Sequence, residues 1–301
     1  MEYVLMAVSI AFSVVNACLL HKFGNRTFQT DGDAFVFNAG ISTIWTIILT
    51  VWFVVGGDYR FSWEALGFGV AYGVILCLFL YTKMTSMSGG PVSLTTLIGS
   101  CAFIIATGFG VLYASESINT FQIIGIPMIL VSLVLCVNPK KSEEKVSPKW
   151  LRDCLLFFLA GGLVGILYKV FGLSNVADQT NIMMLTAAIV SAILFTACGF
   201  GVNAVKKTGR PRIAKAALIF VLLSGISSCV YIRLNISLSA GIPSAIFFPV
   251  SNGAMVILST VTGKLFFKEK LNKTQLTGIL IGLLAILIIG CGEAVWNLIA
   301  V

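Results

Sequence analysis

The chain predicts an all-α polytopic membrane protein, with ten transmembrane helices arranged as two inverted five-helix repeats. Three observations predict it. Of 301 residues, 58% are hydrophobic and 11% charged, with a mean hydropathy of +0.99; a soluble domain carries roughly a quarter charged residues. Apolar runs recur at 2–20, 33–55, 62–81, 91–113, 121–137, 151–171, 180–204, 214–236, 243–267 and 275–298, separated by polar or Gly/Pro punctuation. Finally, Gly110, Leu112, Glu116, Ile118, Asn119, Gln122 and Gly125 recur as Gly263, Leu265, Glu269, Leu271, Asn272, Gln275 and Gly278, every pair 153 residues apart.

Each run is near the ~20 residues that cross a ~30 Å hydrocarbon core as a helix. Backbone polar groups in lipid are satisfied within the segment, so the runs are helices rather than strands. The first run lacks a basic start, and Lys22 and Arg26 follow it where a signal peptide would carry its cleavage site, so it is expected to stay as helix one. The hydrophilic stretch 138–150, Asn138 to Trp150, divides a first repeat (1–137) from a second (151–301). An odd number of helices per repeat sets the two in opposite orientations, the arrangement of alternating-access carriers.

The net charge of +8 does not point to nucleic acid, because its placement follows the membrane. Seventeen of the twenty Lys and Arg residues fall in the loop after helix one and in every second loop thereafter; Arg60, Lys169 and Arg233 are on the other side. This bias places the basic loops in the cytoplasm, of a plasma membrane, and both termini outside. The eight cysteines lie in or beside apolar runs without metal-ligand spacing, and His21 is the only histidine, so neither disulfides nor a metal site is indicated. No cofactor is expected. There is no Walker loop, no acid pair in mid-span and no Ser/His/Asp cluster, so the expectation is a non-enzyme without ATP drive.

The segment Gly110-Val-Leu-Tyr-Ala-Ser-Glu-Ser-Ile-Asn-Thr-Phe-Gln-Ile-Ile-Gly125 and its copy Gly263 to Gly278 resemble the drug/metabolite transporter superfamily, most of all its EamA-like ten-helix members. The pattern is a small-residue helix ending in an acidic residue, a short turn, then a glycine-containing helix. Helix one has Phe12-Ser13 where that family often has Trp-Gly, and the family's proline is missing around Gly99-Ser100. The resemblance implies a secondary transporter moving a small polar or amphipathic metabolite. Its members usually keep both termini in the cytoplasm, opposite to the orientation the charge bias implies. The glycine-then-Lys/Glu turn also resembles a magnesium-transporter-like branch, which makes a cation carrier the alternative; a non-transporting membrane scaffold is the second.

Asn119…Gln122 and Asn272…Gln275 have capping-box spacing, which satisfies the free amides at a helix start. With Glu116 and Glu269 they are expected as turn braces; the rival reading makes the two glutamates proton or cation sites. Tyr81-Thr-Lys83-Met-Thr85 matches Tyr231-Ile-Arg233-Leu-Asn235 at an offset of 150. A basic residue in a span is costly unless it faces a cavity or snorkels. Both readings stay open; on the first, Lys83, Arg233, Tyr81 and Tyr231 contact substrate. Asn16 and Asn252, deep in their spans, join them as candidates, and Ser224, Ser227, Ser228 and Asn181 are further polar positions. Lys22 and Lys169 close the first helix of each repeat and are expected as interfacial anchors. Gly278 and Gly282 form a GxxxG stripe that suits packing within the chain or a homodimer contact.

Overall fold

The computed structural model describes residues 1–27, 30–56, 61–89, 92–137, 147–211, 217–267 and 272–299. Among these, the regular structure is helical throughout: α1 (Glu2–Thr27), α2 (Asp31–Gly56), α3 (Trp63–Gly89), α4 (Val92–Ser100), α5 (Phe103–Tyr113), α6 (Thr120–Val137), α7 (Pro148–Leu173), α8 (Thr180–Lys206), α9 (Leu218–Gly241), α10 (Ser244–Phe267) and α11 (Lys273–Ile299). A 3₁₀ turn, Ala177–Gln179, precedes α8. Among the described residues nine spans are long and apolar enough to cross a membrane, and Thr120–Cys136 is a shorter apolar helix. Large apolar side chains stand on the outside: Leu276, Leu280, Leu283, Leu284 and Leu287 of α11 are all about half exposed. Such a stripe is stable only where lipid replaces water.

The span expected as one helix over 91–113 is broken into α4 and α5. At the break Cys101 N–H reaches both Leu97 O (3.0 Å) and Ile98 O (3.2 Å), and Ala102 N–H donates to Gly99 O (3.2 Å). The ladder tightens there from i−4 to i−3 bonding, a local 3₁₀ geometry. Gly99 lies bare against the Phe157 ring, so the chain breaks here without a proline such as α10 carries at Pro249.

The helices gather into two compact units. The first takes residues 3–78 and 170–237, the second 79–169 and 238–301; α3, α7 and α9 contribute to both. The first unit centres on α2 against α8. Ser191 Oγ donates to Ser42 Oγ (2.9 Å), Phe35 meets Phe195 at 6.4 Å between ring centroids, and Gly32 N–H donates to Asn203 Oδ1 (3.1 Å). Rising residue numbers on α2 pair with falling numbers on α8, so the two run antiparallel. Thr30 and Asp33 make a capping box at the start of α2: Thr30 N–H donates to Asp33 Oδ2 (2.9 Å) and Asp33 N–H to Thr30 Oγ1 (3.2 Å). Asn203 Nδ2 donates to the same Thr30 Oγ1 (3.1 Å), so one buried amide from α8 closes the first turn of α2. On α3, Gly69 and Gly73 allow the backbone onto α8: a Cβ at Gly69 would lie 2.6 Å from Thr186 Cβ, and one at Gly73 2.8 Å from Val190 Cγ1.

The second unit centres on α6 against α11, also antiparallel. Ser132 Oγ donates to Gly278 O (2.7 Å) and Gln275 Nε2 to Cys136 O (3.2 Å). A Cβ at Gly278 would come within 2.8 Å of Leu135 Cβ, and one at Gly282 would strike Ser132 and Ile257. The stripe weighed as a packing or homodimer contact thus meets α6 and α10 of the same chain.

Asn203→Leu is expected to lower the melting temperature of the detergent-purified protein by several degrees. It strips Gly32 N–H of its side-chain partner and takes one of two donors from Thr30 Oγ1, which keeps Asp33 N–H, and a buried polar group left unpaired costs about 1–3 kcal/mol. An unchanged melting curve would show that α2 and α8 hold without this amide.

Candidate functional site

A charged cluster at the corner between α9 and α10 organises the second unit. The α5 helix ends at Tyr113, and Ser115 takes a left-handed backbone (φ 55°) that turns the chain. Glu116 N–H then donates back to Gly110 O (3.3 Å), which fixes the glutamate beside the helix it has just left. Its carboxylate reaches beyond its own turn. Oε1 pairs with Lys169 Nζ of α7, and Oε2 accepts Ser244 N–H (2.7 Å), a first-turn amide of α10. Lys169, only 2% exposed, also donates to Ser239 O (3.0 Å), in the last turn of α9. Each charge thus sits at the helix end that suits it, the ammonium at a C-terminus and the carboxylate at an N-terminus. Gly110 makes the room: a Cβ there would lie 2.6 Å from Glu116 Oε2 and overlap Ser244. Thr107 Oγ1 adds a long contact to Ser244 O (3.4 Å).

Lys169 is thus no interfacial anchor, contrary to the expectation from its place near the end of a span. What a helix-end lysine does depends on a carboxylate 53 positions earlier in the chain, and local pattern does not show that. Lys22, its expected counterpart, and Glu269 have side chains outside the described residues, as does the linker stretch 138–146. At both expected boxes the hydrogen bonds are reciprocal. Asn119 N–H donates to Gln122 Oε1 (3.0 Å) and Gln122 N–H to Asn119 Oδ1 (2.9 Å); Asn272 N–H donates to Gln275 Oε1 (3.1 Å) and Gln275 N–H to Asn272 Oδ1 (2.8 Å).

The six candidate substrate contacts divide three and three. Asn16, Tyr231 and Arg233 belong to the first unit, and Tyr81, Lys83 and Asn252 to the second. Arg233 is half-buried and donates through Nη1 to Asn181 Oδ1. Its guanidinium carbon lies 5.2 Å from the centroid of the Trp52 ring, within cation–π range. No carboxylate pairs with it among the described residues. In the sequence Trp52 is marked only by standing on an apolar span as a large aromatic. Tyr231 gives its backbone carbonyl to Ser9 Oγ (3.2 Å). Asn16 keeps Oδ1 buried with no partner. In the second unit Lys83 is half-buried and has no ion-pair or hydrogen-bond partner among the described residues, and Tyr81 is 45% exposed. Asn252 Nδ2 donates to Phe248 O (2.9 Å), the carbonyl beside Pro249. Ser251 Oγ and Ser244 Oγ are buried without partners.

Spans of this length, an apolar exterior and buried polar side chains inside it define a multi-pass membrane protein. The model of the family described as Sugar transport protein matches residues 25–295. The chain belongs to that family of membrane transporters. A curated relative, an uncharacterized protein of Haemophilus influenzae, is 26% identical over 175 residues. The match covers 57% of this chain and 57% of that protein, so the chain spans less than two thirds of the relative's length. A protein crystal structure superposes with a TM-score of 0.75 over 96% of each chain at 13% identity, a likeness of fold.

Lys169→Met is expected to destabilise the protein strongly, because it leaves the partly buried Glu116 carboxylate without its countercharge; breaking a buried pair costs about 3–5 kcal/mol. Adding Glu116→Gln to Lys169→Met is expected to recover part of the loss in melting temperature. Equal destabilisation by the single and double variants would show that the two charges act independently.

Proposed function

We propose that this protein is a secondary transporter that carries a small polar solute of the sugar class across the plasma membrane by alternating access. The match of the sugar transport family model over residues 25–295 carries this reading. The two repeats, 1–137 and 151–301, are the moving parts, with 138–150 joining them. Support for inversion comes from two helix pairs. The second spans of the repeats, α2 and α8, pack antiparallel, and so do the fifth spans, α6 and α11. Equivalent helices meet in this way about an axis in the membrane plane. A kinship with the drug/metabolite transporter superfamily rests on the same layout.

On this reading Arg233, Tyr231 and Asn16 in one unit, and Lys83, Tyr81 and Asn252 in the other, are solute contacts. A monosaccharide is a ring of hydroxyls that needs donors and acceptors, and amide, phenol, ammonium and guanidinium groups supply them. The described residues hold no group of three His, Cys, Asp or Glu side chains that suits a metal ion. Magnesium wants anionic oxygen ligands, so an organic solute is the better fit. The basic loops are cytoplasmic and both termini outside.

The test is flux of labelled monosaccharides into proteoliposomes. Arg233→Ala and Lys83→Ala are each expected to cut uptake at least tenfold at normal expression, with Arg233→Lys and Lys83→Arg keeping part of it. Wild-type rates in both alanine variants would remove the two basic residues from the solute path.

Orientation has its own measurement. A single cysteine placed at Ser142 in a cysteine-free background is expected to resist an impermeant maleimide in intact cells. Labelling without permeabilisation would reverse the topology.

A further inference from the structure

The α1–α9 seam, wholly within the first unit, carries a polar ladder with one open rung. Ser9 Oγ lies against Tyr231 O (3.2 Å) and Asn235 Oδ1 (2.6 Å), and three residues further along α1 Ser227 Oγ donates to Phe12 O (2.7 Å). Rising numbers on α1 meet falling numbers on α9, so the helices are antiparallel here. Seven residues return a helix to the same face two turns on, ~10.5 Å along its axis. Seven beyond Ser9 is Asn16, and seven before Tyr231 is Ser224. The register that seats Ser9 on Tyr231 therefore sets Asn16 opposite Ser224. These two are the rung without hydrogen bonds. Asn16 Oδ1 and Ser224 Oγ are both buried and have no partner, and Ser224 is 0% exposed. Their neighbours are satisfied: Trp45 Nε1 of α2 donates to Ser228 Oγ (2.8 Å), and Ser228 Oγ donates into its own helix, to Ser224 O.

Resting on the sugar-class reading above, we infer that Asn16 and Ser224 form a seat for one hydroxyl of a monosaccharide. Asn16 Oδ1 only accepts, and the Ser224 hydroxyl both donates and accepts. A sugar hydroxyl that donates to Asn16 and accepts from Ser224 satisfies both with a single group. A carboxylate or phosphate meets repulsion at Oδ1, and a metal cation finds no anionic ligand. A seat of two buried polar groups also discriminates. A sugar lacking that hydroxyl leaves both groups unpaired and is rejected far more strongly than a lost contact alone would require.

The experiment is binding to the purified protein, by calorimetry and thermal shift, of a monosaccharide panel and of each ligand's single-deoxy analogues. The wild type is expected to bind at least one monosaccharide and to reject one of its deoxy forms at least tenfold. Asn16→Leu and Ser224→Ala are expected to weaken the parent sugar about tenfold and to bind parent and deoxy form alike. Ser224→Thr is expected to keep the preference, and Thr196→Val, on the exposed face of α8, to behave as wild type. Loss of discrimination is a readout that general loosening of the seam does not produce. Should Asn16→Leu fail to fold, Ser224→Ala, which deletes one oxygen, decides by the same comparison. Variants that retain both affinity and preference overturn the seat while leaving sugar transport standing. A wild type that binds no monosaccharide removes the sugar reading itself, and the seat with it.

Discussion

The pair formed by Glu116 and Lys169 holds together a corner that no backbone hydrogen bond spans. Between α9 and α10 the chain passes through Gly241, Ile242 and Pro243, so the last carbonyls of one helix and the first amides of the next are left open. In water such groups need no help. Here Ser239, Ile242 and Ser244 are buried, and away from water each open group costs several kcal/mol. The two charges meet it from outside the corner, Lys169 on Ser239 O and Glu116 on Ser244 N–H, while neutralising one another. Four segments, the α5 exit, α7, the end of α9 and the start of α10, are thereby located by two side chains. Gly110 and the left-handed Ser115 are consequences of the same demand, since both serve to aim the Glu116 carboxylate.

Elsewhere the helices hold one another by close approach and single hydrogen bonds, because an apolar side chain gains little by leaving lipid for a neighbouring helix. The means differ by seam. α3 meets α8 through Gly69 and Gly73, and α11 meets α6 through Gly278, Gly282 and Ser132. α2 meets α8 through Asn203, Ser42 and Ser191. The α1–α9 seam is polar as well, with Ser9, Asn235 and Ser227 satisfied and Asn16 and Ser224 not.

Spans were legible because lipid imposes a length and a composition on every one of them, and the membrane-protein class follows from that alone. Turns whose chemistry is local were legible too: Asn119 with Gln122, and Asn272 with Gln275, are three residues apart and bond as that spacing requires. The box at Thr30 and Asp33 has the same spacing, but the apolar run begins inside it and hides it. Distant pairings were not legible. Nothing around Asn203 announces Thr30 and Gly32, and nothing around Arg233 announces Trp52 and Asn181. The break at Cys101 was hidden for another reason. It is made by a glycine against an aromatic ring, with no proline in the sequence to mark it.

The burial of Lys169 bears on how the chain is made. Synthesis delivers Glu116 before α7, so the lysine emerges with its countercharge already in the membrane. Ser239 and Ser244, which complete the coordination of the pair, arrive only some seventy residues later. Between those moments α7 carries an ammonium whose ion-pair partner in the folded structure, Glu116, has already been made. A fragment that begins after Glu116 therefore holds a buried lysine without its countercharge.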